Sequence, residues 1–587
     1  MTTSRGYEGG LSIRTWKLAL ALGLCAIGVL VFLMLQLPSN EAGPPPTTAS
    51  YVDNADCADC HDDVQAEYMD TKHAVAFPDL MAGFHLPSCE PCHATGAPNA
   101  TGVGVPSIYP VSGYDVATHL PAYLQNVTCQ SCHGPGSLHV ASASADKQAT
   151  IGLVLNSSLC GSCHYSEEGL GGQHHPTYNE WLASGHNTAT LPNYVKNAAC
   201  SNCHEVLNGM QFVESNGTVT KTVLRAPGED APLTWEIGCV VCHDPHDNTT
   251  QYQLRLPKEL ICAVCHNSQG AVPGEAVHHP MAEMRNNTAG YIADRTGLTY
   301  MPDISCYECH LSDNYAATPL PNHTFAPKAD ACRTCHGGST FPTNESAQVY
   351  IDAVATMTNV GIESTSELVE QAAALMTQMA GNRTSVNMVS TSNEYNISKF
   401  NLESVDSDTS QGNHNPMLAS SLLKDARERA QMIVSDLTPP DKIAGVQVTR
   451  NADGTVTVNW SASDVSDFAK YRIYVLTTKS SNVTGDTWKA ELTNRSTLTY
   501  TMTDLDEDTA YYVYVTAVDT KGNEITNTVS PATVAKLAAE ETGLTTLDYG
   551  LIGVVAVLAL VAAALAMMLM RKGKGAKPAE TPAKTEE

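Results

Sequence analysis

Of the nineteen cysteines in this 587-residue chain, only Cys25 stands outside a single repeated motif, so no set of spare thiols is left to build a disulfide framework. Large aromatics are scarce as well. Eight Phe and five Trp are poor material for side-chain cores in a chain of this length, which is enough for three or four domains. Basic residues number 33 against 61 acidic ones, for a formal net charge of -28. That balance excludes a nucleic-acid binder, which needs a basic face, and suits an exported surface or a basic partner. Histidine is confined too: outside residues 51–340 there is one, His414.

What is present is concentrated. Nine copies of Cys-x-x-Cys-His run from residue 57 to residue 336. Their thiols are Cys57 and Cys60, Cys89 and Cys92, Cys129 and Cys132, Cys160 and Cys163, Cys200 and Cys203, Cys239 and Cys242, Cys262 and Cys265, Cys306 and Cys309, and Cys332 and Cys335. One such motif alone also reads as half a zinc site or a redox pair. Nine, each followed by His, read as attachment sites for nine covalently bound haem c groups. Two thiols form thioethers to one porphyrin, and the adjacent imidazole reaches its iron. The proximal ligands are then His61, His93, His133, His164, His204, His243, His266, His310 and His336.

Two apolar runs are each long enough to span a bilayer as a helix of about twenty residues. Leu18 to Leu37 follows Arg5, Arg14 and Lys17, and Gly550 to Met570 precedes Arg571, Lys572, Lys574 and Lys577. The positive flanks put both termini in the cytoplasm and the region between them outside. The first run reads equally as an uncleaved anchor or a cleaved signal. Thirteen Asn-x-Ser/Thr sequons lie in the exported region, and such acceptors matter only in an exported chain. With two anchors and an acidic surface, they lean toward an archaeal cell surface.

The expected architecture is multidomain, and its pieces follow from composition and period. Residues 1–37 form an N-terminal signal or anchor helix and 38–50 a Pro-rich spacer. Residues 51–340 form a haem-packed domain, mostly α and irregular. Residues 341–437 carry helical periodicity, clearest over Glu370 to Ala380 and Pro416 to Val434, with Asn415 placed as N-cap. From 438 to 537 the period switches to two, in segments such as VTVNWSA, YRIYVLTT and YYVYVTAVD, which predicts an all-β sandwich of about seven strands. This segment resembles a fibronectin type III module, with Trp460 at the position of the buried strand-B tryptophan and Leu505 to Tyr511 leading into a tyrosine corner. A transmembrane helix over 549–570 and a polar cytoplasmic tail over 571–587 complete the chain.

Nine irons each need a sixth ligand or an open face. Eleven further histidines lie in the haem region: His73, His85, His119, His139, His174, His175, His186, His246, His278, His279 and His323. Their segregation there argues for ligation. The doublets before Pro give one ligand apiece, and His175 and His279 are the favoured members. With His414 this leaves ten candidates, of which His85 and His119 are the least settled. The distal set is therefore His73, His119, His139, His175, His186, His246, His279, His323 and His414.

Several of these sit in longer signatures. Cys129-Gln-Ser-Cys-His-Gly-Pro-Gly-Ser-Leu-His139 resembles the CxxCHGPGxxH signature of the tetrahaem and octahaem cytochromes related to hydroxylamine oxidoreductase. The resemblance implies that His139 ligates a neighbouring haem. Trp181-Leu-Ala-Ser-Gly-His186 is similar to a ligand segment of that family, and Tyr68-Met-Asp-Thr-Lys-His73 is a weaker copy. Residues 57–139 and 160–246 thus read as a diverged duplication, with His246 corresponding to His139. Gly412-Asn-His414-Asn-Pro416 resembles the family's GxHNP element, which implies that His414 reaches back to a haem. The alternative reading is a helix-capping loop with an exposed His.

Bis-imidazole irons carry electrons, whereas catalysis needs one open haem. The lysine-ligated motif that marks the family's ammonia-forming nitrite reductases is absent here, although its hydroxylamine enzymes keep Cys-x-x-Cys-His. The sequence therefore predicts an electron carrier rather than an enzyme, working between the membrane and an external acceptor or partner cytochrome. The alternative is an oxidoreductase acting on nitrite, hydroxylamine or sulfite. A protein that uses haem mainly as structural core is the third class.

Overall fold

The computed structural model describes residues 48–78, 89–96, 121–143, 147–165, 176–188, 198–218, 237–301, 304–312, 321–483, 488–527, 529–536 and 546–570. The chain divides into two compact units. One comprises Met1–Val369 and Asn396–Arg429, the other Glu370–Tyr395 and Ala430–Glu587.

In the first unit the attachment motifs sit on short helices, among them Cys129–His133, Ala198–His204, Cys306–His310 and Ala329–His336. The reason is the spacing. Residues three apart share a helix face, so one turn aims both thiols the same way. The turn is closed by the histidine itself: His61 N–H donates to Cys57 O at 3.0 Å, and His164 N–H to Cys160 O at 2.9 Å. Polar residues start these turns. Asp53 accepts from Ala55 N–H at 3.0 Å and Asn156 from Ser158 N–H at 2.8 Å, satisfying donors a helix start leaves open. Side chains pack here in a cluster of Leu155, Val206, Phe212, Val213, Val241, Ile261 and Val264.

Three long helices follow: α1 (Asn344–Ala380), α2 (Met388–Asp406) and α3 (Pro416–Leu437). Thr343 and Ser346 cap α1 reciprocally, each side-chain oxygen accepting from the other's N–H at 3.1 Å, as in a capping box. Asn415 Oδ1 accepts from Leu418 N–H at 3.0 Å at the start of α3, in keeping with its place before Pro416. Helix α2 is not evident from apolar periodicity, because polar residues share its buried side with Phe400, Leu402 and Val405. Ser398, Asn401 and Ser404 are buried there, and Ser398 Oγ donates to Ala426 O at 2.6 Å.

Asn401 also ties the loop at 290–291 to these helices, accepting from Tyr291 N–H and donating to Tyr291 O at 3.0 Å. Gly290 stands beside it at φ +72°, where an added Cβ would overlap Leu422 Cδ2. Gly290→Ala is therefore expected to cost about 2–4 kcal/mol, from left-handed backbone strain and overpacking together. Chemical denaturation of the haem-loaded protein checks this, and a loss below about 0.5 kcal/mol would show that the loop moves aside.

Among the described residues the second unit holds seven antiparallel strands: β1 (Gln447–Arg450), β2 (Val456–Asn459), β3 (Phe468–Leu476), β4 (Trp488–Leu492), β5 (Thr499–Met502), β6 (Tyr511–Asp519) and β7 (Ala532–Val534). They form one sheet in the order β1-β2-β5 and another in the order β4-β3-β6-β7. Inward residues such as Val458, Trp460, Tyr471, Ile473, Val513 and Val515 make the core. Trp460 packs edge-on to Tyr471 at 5.4 Å. Tyr511 Oη accepts from Asp506 N–H at 3.0 Å, the hydrogen bond that defines a tyrosine corner.

Alternation predicts half-buried strands, yet β6 is buried on both faces over most of its length. On its second face Tyr514 packs with Tyr474 and Val483, and Thr516 joins a polar cluster around Glu524.

A last helix, α4 (Thr546–Met570), has side chains described from 554 to 567, all exposed. Among the described residues no helix is long and apolar enough to cross a membrane. The apolar run 18–37 lies outside the described residues.

Candidate cofactor site

The attachment motifs of the first unit line one cavity of about 3,680 Å³, several times the ~300–1,000 Å³ of an ordinary ligand site. Its walls include most of the motif cysteines and histidines. Porphyrins would fill the space that a side-chain core would otherwise occupy.

Two imidazoles sharing one metal ion each stand ~2 Å from it through nitrogen, which sets their ring centres roughly 6 Å apart. Among the described residues seven of the motif imidazoles meet that condition: His61 with His139 at 6.4 Å, His164 with His73 at 6.1 Å, His133 with His246 at 6.0 Å, His266 with His186 at 6.0 Å, His243 with His323 at 6.3 Å, His310 with His414 at 6.0 Å, and His204 with His279 at 6.1 Å or His278 at 6.4 Å. The nitrogens of His204, His278 and His279 all lie within 4.8 Å of one another. The donor set and its spacing fit haem iron.

Sequence position did not disclose these partners. His73 follows the first motif but faces the fourth, and His186 follows the fourth but faces the seventh. That pair repeats as a duplication requires. His139 and His246 do not, since one faces the first motif and the other the third. His414 stands with its ring 6.0 Å from that of His310. His119 and His175 lie outside the described residues, as do His85 and His174. Among the described residues His93 and His336 face no second imidazole. The ring of His336 meets Phe341 edge-on at 5.9 Å.

Burial pushes His186, His266, His279 and His323 down to about 4, so these rings are neutral in the fold and keep a lone pair for metal. The Nδ1 atoms that orient the rings bond mostly to carbonyls. His133 bonds to Gly152 O at 2.9 Å, His139 to Lys147 O at 2.8 Å, His243 to Tyr252 O at 2.8 Å and His310 to Phe325 O at 2.8 Å. These partners carry no sequence signal, because any residue supplies a carbonyl. A ring held this way presents Nε2 to the metal.

The thiols show which motifs are neighbours. Cys57 lies beside Cys129, Cys92 beside Cys163, Cys160 beside Cys239, Cys203 beside Cys265 and Cys262 beside Cys306. Cys132 lies close to Cys163, Cys242 to Cys262 and Cys309 to Cys332. Together these contacts join all nine motifs in one contiguous array. Cys60 and Cys335, in its first and last motifs, are exposed.

Three family models match parts of the chain: cytochrome c554 and c-prime over residues 56–134, cytochrome c7 and related cytochrome c over 248–337, and fibronectin type III domain over 438–533. None of the curated protein sequences matches. Among solved structures, the outer cell wall cytochrome OcwA is 20% identical, over 65% of this chain and 100% of that one, with a TM-score of 0.45. The undecahaem cytochrome from the S-layer of Carboxydothermus ferrireducens is 20% identical, over 66% and 70%, with a TM-score of 0.39. A cytochrome c nitrite reductase from Desulfovibrio desulfuricans is 17% identical, over 46% and 77%, with a TM-score of 0.31. Scores this low carry no shared function.

Proposed function

With multihaem cytochrome c-type domains and a fibronectin type III domain as the starting point, we propose that this chain is a nonahaem electron carrier. In this reading it is tethered to the cell membrane, faces outward, and works between the membrane and an external acceptor or partner cytochrome. The observation that carries the reading is the pairing of imidazoles across seven of the nine motifs. An iron held from both sides has no vacant position for substrate. When bound, haem c supplies a one-electron ferric–ferrous couple at each motif.

The chain's own residues do the rest. The Cys pairs fix each porphyrin covalently. The proximal and distal imidazoles close its iron, with His119 and His175 the proposed partners for the motifs of His93 and His336. The backbone that places motif cysteines side by side keeps neighbouring sites adjacent, and the exposed first and last motifs give the array two accessible ends. The apolar run before Arg571 supports a membrane tether with a cytoplasmic tail. Exposed sequons at Asn216, Asn248, Asn286, Asn344, Asn459 and Asn494 support a glycosylated, archaeal-type surface. Two sequons do not add to that case: Asn322 is buried, and Asn382 is held by Thr526 and Asn527 N–H.

The second reading, an oxidoreductase for a small nitrogen or sulfur compound, has its best footing at the exposed His336, whose ring faces Phe341 rather than an imidazole. One experiment separates the two. Intact mass should exceed the polypeptide by nine haems, and electron paramagnetic resonance of the oxidised protein should show low-spin iron in nearly all of them. A load of six or fewer overturns the nonahaem count. A strong high-spin signal with turnover of nitrite or hydroxylamine overturns the carrier.

A further inference from the structure

Among the motif and partner imidazoles, His414 is oriented differently. Its Nδ1–H donates at 2.6 Å to Oδ1 of Asp408, a carboxylate with no solvent exposure, where the other oriented rings meet carbonyls. The loop is built to hold this pair. Ser410 Oγ donates to Asp408 Oδ2 and accepts from His414 N–H at 3.1 Å. Asn413 Nδ2 donates to Ser410 O at 3.1 Å. Thr409, Gln411 and Gly412 all take positive φ, at 55°, 53° and 83°, and left-handed non-glycine residues persist only where the surroundings over-determine them.

His246 is the instructive contrast. Its Nδ1 stands 3.5 Å from Asp244 Oδ1, but Arg255 holds Oδ2 of that carboxylate at 2.9 Å, so the negative charge is already matched. Asp408 has no Arg or Lys in contact among the described residues. It lies close enough to act electrostatically on His310 as well.

We propose that Asp408 is a positioning residue that lowers the reduction potential of the haem held between His310 and His414, setting it apart from the bis-imidazole haems whose rings bond to carbonyls. This rests on the reading of His414 as an iron ligand. A carboxylate accepting Nδ1–H makes the imidazole a more basic ligand, and basic ligation favours the ferric state. A buried negative charge acts in the same direction, because little solvent screens it. Two independent effects of one side chain thus stabilise the oxidised iron.

The test is Asp408→Asn in the full-length, haem-loaded protein. The amide keeps an acceptor for Nδ1–H and a partner for Ser410 while removing the charge. Spectroelectrochemical titration should show one haem midpoint moved upward and the others unchanged. In electron paramagnetic resonance one low-spin signal should shift its g values with no gain of high-spin iron. Asp244→Asn, where Arg255 already compensates, should move its own haem less, and an equal shift there overturns the proposal. So does an unchanged titration of Asp408→Asn, provided His414→Ala opens one high-spin site. If His414→Ala leaves every iron low-spin, the ligand reading itself fails, and the proposal with it.

Discussion

His73→Ala is expected to convert one iron of the nine to a high-spin, ligand-accessible state and to leave the other low-spin signals in place. His73 is the imidazole facing His164, their ring centres 6.1 Å apart. Burial pushes the His73 imidazole below its ordinary value, so the ring is neutral and available to a metal throughout the neutral range. Its removal opens space large enough for water or a small anion on that face. The contrast with His186→Ala sharpens the prediction. The partner of His186 is His266, and His279 stands 5.8 Å from the same ring. In that variant His279 can turn to the vacated position, so the high-spin yield should be smaller, and adding His279→Ala should restore it. Resonance of the oxidised proteins, with nitrite or cyanide added as a reporter of open sites, checks both. A His73→Ala protein that stays wholly low-spin would show that the facing pairs are not the ligand pairs.

The attachment motifs were legible because the chemistry demands two thiols and an imidazole at fixed spacing. The segregation of histidine into one region was equally legible, and the geometry there pairs His73, His139, His186, His246, His323 and His414 with motif imidazoles. Which motif each serves was not legible. Partner choice depends on how short helices and irregular loops stack around a shared cavity, and neither period nor composition encodes that. The doublet His278-His279 shows the limit: both rings stand within reach of His204, and one residue of chain cannot decide between them. Helix α2 was not singled out within the helical region 341–437 for a related reason, since buried Ser398, Asn401 and Ser404 interrupt the apolar spacing of Phe400, Leu402 and Val405. In the β-sandwich the alternation was right about strands and wrong about solvent. The second face of β3 carries Arg472 and Tyr474, which look exposed by type but are buried.

Glu524→Ala is expected to destabilise the second unit by about 3–5 kcal/mol, the range for breaking a buried ion pair by removing one partner. Glu524 has no solvent exposure and is the hub of that second face. Tyr474 Oη donates to it at 2.5 Å, Thr516 Oγ1 at 2.6 Å and Arg472 Nη1 at 2.5 Å, while Arg383 Nε lies 3.2 Å away. Both guanidiniums stack on Trp488, Arg472 at 4.0 Å and Arg383 at 5.2 Å from its ring centre. Arg383 comes from the turn between α1 and α2, and its carbonyl accepts Glu524 N–H at 2.9 Å. Asn382 beside it accepts from Thr526 N–H at 2.7 Å, and Thr384 donates to Asn523 at 2.6 Å. The sandwich is therefore bolted to that turn within its unit, not strung on a flexible linker. Alanine leaves one buried guanidinium, one partly buried guanidinium and two hydroxyls with one acceptor fewer. Glu524→Gln keeps the shape and one acceptor, and should cost roughly half as much, since hydrogen bonds to a charged group are worth more than neutral ones. Denaturant unfolding of the full-length protein, followed by tryptophan fluorescence alongside haem absorbance, separates the two units. The fluorescence transition should move to lower denaturant while the haem transition holds. Equal stability of both variants and the parent would show that the cluster is solvated and its geometry idle.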